Sequence, residues 1–116
     1  MSDTTIETAS LPALADEHLE RAREARSARS ATTLHGGAGH ALRQTLMALL
    51  EGHGLTAHDS PGEATLQVLR GQVRLTTDEG DWEGAEGDLV TIPPVRHGLL
   101  ALADSVVLLT VLSPQQ

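Results

Sequence analysis

From residue 32 onward the chain is a succession of short β-like runs broken by glycine-rich or acidic turns, and this rhythm constrains its fold more than any other feature. The runs fall at 32–35, 42–50, 54–58, 65–70, 72–77, 81–83, 88–92, 97–103 and 105–112. Between them stand Gly36-Gly37-Ala38-Gly39, Gly52-His53-Gly54, Ser60-Pro61-Gly62, Asp78-Glu79-Gly80 and the stretch from Gly84 to Gly87. Many short strands at such close spacing indicate an all-β sandwich or barrel. Val73 and Leu75 alternate with Gln72, Arg74 and Thr76, as in a strand buried on one face. The run VVLLTVL at 106–112 is apolar on both faces, so it should be a central strand or one covered by a helix.

Only one segment has the helical period. Ser10 is placed to cap a helix whose first turn carries Pro12, where a missing N–H is harmless. Leu11, Leu14, Ala15, His18, Leu19, Ala22 and Ala25 then recur on one face. Glu17 stands four residues before Arg21, a favourable helical pair. The spacing predicts an amphipathic helix over 11–27. The chain therefore divides into a flexible tail at 1–10, an N-terminal helical unit at 11–30 and a β domain at 31–113.

A chain of 116 residues holds one domain with one core. That core must come from Leu, Val, Ala and Ile, because Trp82 is the only aromatic residue. Base-stacking platforms need aromatic faces, and the formal net charge of −8 repels phosphate backbones. Nucleic acid is thus not an expected partner. A helix-turn-helix reader would also need a second helix, and the sequence after Ser30 is β-like. The arginines at 21, 23, 26 and 29 form either a solvated face or a grip for an anionic partner. There is no cysteine, hence no disulfide or thiolate metal site. No apolar run is long enough to cross a bilayer and the N-terminus is polar, so a cytoplasmic protein without a membrane partner is expected. The acidic residues around Trp82 lack the spacing of a calcium loop and read as a solvated hairpin tip.

Two segments carry most of the remaining information. In the first, Gly52 is followed after five residues by His58, and Gly71 closes the segment. In the second, Gly87 is followed after five residues by Pro93, with His97 four further on. Fifteen residues, 72–86, separate them. Together they resemble the two motifs of a small single-domain cupin, with part of the metal-binding set replaced. Ser60 stands where the resemblance expects a second histidine. Ala64 stands where it expects a glutamate, with Glu63 adjacent, and Val95 replaces a glycine. Period-two alternation turns Glu63 away from Ala64's face unless the Pro61-Gly62 turn shifts the register.

The resemblance implies a double-stranded β-helix, the cupin jelly-roll barrel, preceded by the helix, and pairing of two copies into a homodimer. It further implies one divalent metal ion (Fe, Mn, Ni or Zn) with His58, His97 and Glu63 as ligands. Neutral imidazoles and a carboxylate suit such borderline metals, whereas two imidazoles alone make a weak site. His58 and His97 are otherwise barrel histidines bonded to backbone or water. With Ser60 and Gln67 they would line a mouth for a small-molecule ligand. Two functions follow: a small-molecule or metal-binding, sensing module, and a metal-dependent dioxygenase or isomerase, which would need Glu63 to face inward. A plain stability or assembly role is a third. No nucleophile with an oriented base is present, so no catalytic residue is assigned.

Overall fold

A computed structural model describes residues 5–60 and 62–112. The expected tail falls in part, at residues 1–4, outside the described residues, as do Pro61 and the segment 113–116.

Ser10 caps the helix as its sequence demands, its hydroxyl accepting from the Ala13 amide at 3.3 Å, and α1 runs Leu11–Glu24. The helix stops three residues short of its expected end. Ala25 is extended, Ala28 takes φ 57°, and Arg29 already pairs with Leu49 in a strand. Sheet pairing has overridden the good helical propensity of Ala and Arg.

Nine strands follow among the described residues: β1 Arg29–His35, β2 Leu42–Leu49, β3 Gly54–His58, β4 Glu63–Arg70, β5 Gln72–Thr77, β6 Gly80–Ala85, β7 Leu89–Ile92, β8 His97–Ala101 and β9 Ser105–Leu112. They form two antiparallel sheets, ordered β1-β2-β9-β4-β7 and β3-β8-β5-β6. Their inner faces enclose the main core of Leu49, Leu66, Val68, Val73, Leu75, Leu99 and Val107. Nine runs were expected and nine strands form at those places.

The doubly apolar run is the centre of the larger sheet. Val107 and Val111 of β9 point into the barrel, and Val106 points outward to the helix. There Ala15, Leu19 and Ala22 close on Leu46, Ala48 and Val106 in a second core. Ala22, fully buried, brings the helix backbone close to the sheet. His18 is buried in this layer, with its Nδ1 2.6 Å from Ser30 Oγ. Arg70 reaches back from β4 to Asp16 at 2.8 Å and fastens the exposed rim.

The turn from β4 to β5 shows why a glycine closes the first motif. Gly71 has φ +80°, and a Cβ there would collide with the Asp104 carbonyl and with Ser105. Ser105 is fully buried and clasps β5: its hydroxyl accepts from the Gln72 amide at 3.0 Å and faces the Gln72 carbonyl at 3.0 Å and the Ala103 carbonyl at 2.7 Å. At the opposite end, the acidic hairpin tip is held by Thr77, whose hydroxyl donates to the Gly80 carbonyl at 2.6 Å.

Candidate binding site

His58 and His97 are brought together. They are register partners across β3 and β8, and their ring centroids lie 4.7 Å apart at an interplanar angle of 57°. His97 follows the alternation of Leu99 and Ala101, which places it on the barrel's inner face, opposite Thr77 of β5. His58 reaches the same face because a register shift between Leu55 and His58 offsets the strand. His97 is buried, at 5% exposure, while His58 is exposed.

Each ring is held by the backbone two residues before it. His58 Nδ1 lies 3.1 Å from the Thr56 carbonyl oxygen, and His97 Nδ1 lies 2.9 Å from that of Val95. A carbonyl only accepts, so in both rings Nδ1 carries the proton. The Nε2 atom of each neutral ring is left as an acceptor or ligand. With Nδ1 bonded to a carbonyl, Nε2 is the atom that could bind a metal or accept from a ligand's donor.

The other expected partners do not join the pair. On β4, Ala64, Leu66 and Val68 face the core, so Glu63 and Gln67 lie on the outer face of the five-stranded sheet. Glu63 is exposed beside Leu112. Ser60 donates its hydroxyl to the Gly62 carbonyl at 3.0 Å, which commits it to the turn. Among the described residues no group of three or more His, Cys, Asp or Glu could hold a metal ion. The residues therefore do not fit the resident metal that the resemblance implies: two imidazoles are present and the inward carboxylate position is occupied by Ala64.

Three features had no clear signal in the sequence. Thr77 stands on the inner face opposite His97. His35 and His40, at the two ends of the glycine-rich loop, have ring centroids 4.9 Å apart. A cavity of about 480 Å³, lined in part by His40, Arg43, Thr45 and Met47, opens on the inner face of β2 and β9.

No protein-family profile matches the sequence, and no curated protein matches it. Solved structures do. A conserved protein of unknown function from Streptococcus pyogenes is 27% identical, with 100% of this chain and 98% of that one covered at a TM-score of 0.72. An RmlC-like cupin protein from Desulfovibrio desulfuricans is 19% identical over 99% of this chain and 98% of its own, at a TM-score of 0.64. A cupin superfamily protein from Desulfitobacterium hafniense is 15% identical over 74% of this chain and 78% of its own, at 0.67. The strand order, the positions of the motif glycines and these likenesses agree: the chain has the fold of a small single-domain cupin, a jelly-roll barrel with one helix on its outer face.

Proposed function

We propose that the chain is a small-molecule binding module whose ligand is taken by the His58–His97 pair at the end of the barrel where β8 begins. The observation that carries this is the common tautomer of the two rings: both Nδ1 atoms are spent on backbone carbonyls, so two Nε2 acceptors are offered side by side. Such a pair suits a ligand with hydroxyl or N–H donors. A divalent metal (Fe, Mn, Ni or Zn) would find two protein ligands and water, an arrangement weaker than the three or four of stable sites. The metal-dependent dioxygenase or isomerase reading lacks its carboxylate, since Glu63 lies on the outer face.

The test is elemental analysis of protein purified without chelator or affinity metal. It is paired with nitrogen-detected NMR of the imidazoles during titration with small diols, sugars and organic acids. Metal well below one equivalent, with a probe that moves both Nε2 signals and is lost in a His58→Ala/His97→Ala variant, supports the binding module. Near-stoichiometric metal that disappears in the same variant overturns it in favour of the metalloenzyme. We also propose that two copies pair through β1, one of the two edge strands of the larger sheet, where Ala31 and Thr33 are exposed. Sedimentation equilibrium that returns a monomer at high protein concentration sinks that proposal.

A further inference from the structure

The larger sheet has one strand more than the sheet facing it, and the start of β2 is left partly uncovered. On the inner face there, Arg43, Thr45 and Met47 alternate along β2, and Leu109 and Val111 oppose them from β9. With His40 they enclose the cavity of about 480 Å³, a size within the roughly 300–1,000 Å³ of small-molecule sites. Met47 and Leu109 pack against the main core and Val111 belongs to it, so the floor is apolar and rigid.

The charge at this cavity runs against that of the chain. Among the described residues no carboxylate lines it, although acidic residues outnumber basic ones two to one over the whole sequence. The arginines at 21, 23, 70, 74 and 96 are all in ion pairs. Arg26, Arg29 and Arg43 form no ion pair among the described residues; of the three, Arg43 lines the cavity, and its side chain makes no hydrogen bond among the described residues. Its side chain lies along Gly36, where an added Cβ would come within 3.2 Å of Arg43 Cγ. The glycine-rich loop thus makes room for the arginine beside the cavity instead of neutralising it.

We propose that this cavity binds a monocarboxylate with a short apolar body. The planar guanidinium of Arg43 takes the carboxylate as a two-pronged partner. His40 stands beside it, the Thr45 hydroxyl offers a further hydrogen bond, and Met47, Leu109 and Val111 receive the body. A single unpaired arginine matches a monoanion; a phosphate dianion would call for more than one cation. The lining of this cavity includes neither His58 nor His97, so the two proposals name different residues.

The experiment is calorimetric titration with hexanoate, with hexanamide, hexylamine and inorganic phosphate as comparison probes, followed by the acids from acetate to octanoate. Expected is saturable hexanoate binding that weakens at least tenfold for hexanamide and at least tenfold in Arg43→Gln. Thr45→Glu, which introduces a carboxylate into the cavity, should abolish it. Arg43 is exposed, and an unchanged amide spectrum verifies that its variant is folded. Glu63→Gln, on the outer face of the sheet, should bind hexanoate as the parent does. Absence of saturable binding across the acid series overturns the proposal. So does hexanamide or phosphate binding as tightly as hexanoate.

Discussion

His97 is buried and His58 exposed, although the two rings are cross-strand partners only 4.7 Å apart. The pair should therefore be asymmetric in stability. Removing His97 leaves the Val95 carbonyl without its partner and a gap on the inner face, at a cost of about 1–3 kcal/mol. Removing His58 should stay within about 0.5 kcal/mol, as for an ordinary surface position. Urea unfolding of the two single alanine variants measures the difference. Equal losses would mean that the rings act as one packed unit.

Ala64, at 2% exposure, occupies the inward position that the resemblance gives to a carboxylate. Ala64→Glu should destabilise the metal-free protein by several kcal/mol, because an ionised group is moved into the barrel. Added Zn²⁺ or Ni²⁺ should recover much of this by completing a three-ligand site with His58 and His97. Glu63→Gln, on the outer face, should change neither stability nor metal retention. Thermal unfolding with and without the metal reads both variants.

Ser105 is a buried hydroxyl with three backbone neighbours on two segments. Ser105→Ala leaves the Gln72 amide without its acceptor and should cost about 1–3 kcal/mol. Hydrogen exchange at Gln72 should accelerate more than at amides of the β5–β6 hairpin tip.

Leu46 is fully buried between the helix and the sheet. Leu46→Ala should cost about 2–5 kcal/mol, with the spread set by how far Leu19 and Val106 collapse into the gap. Denaturant midpoints measure it, and an unchanged m-value shows that the barrel still unfolds together with its helix.

Most of the fold was legible because its signals are local. Alternation marks β5, a doubly apolar run marks β9, and glycine or acidic clusters mark the turns. The helix overran because Ala25, Arg26 and Ser27 give no local stop signal; the break is imposed by the pairing of Arg29 with Leu49. At the site, sequence spacing brought His58 and His97 together, and period two correctly warned that Glu63 and Ala64 take opposite faces. Gln67 shares the outward parity of Glu63, which the motif spacing alone conceals. Ser60 is committed to Gly62, a bond between neighbours that no motif encodes. The basic cavity depends on where one sheet outruns the other, and that is a property of the assembled barrel.

β9 lies between β2 and β4, so the larger sheet consists of two unconnected pieces until the last eight described residues arrive. On the ribosome, a chain halted before Ser105 would hold the helix against Leu46 and Ala48 without Val106, and its barrel would lack the strand that joins both halves. Closure of the barrel must therefore wait for β9, and a nascent chain of this kind is exposed to chaperones and proteases until that strand has left the exit tunnel.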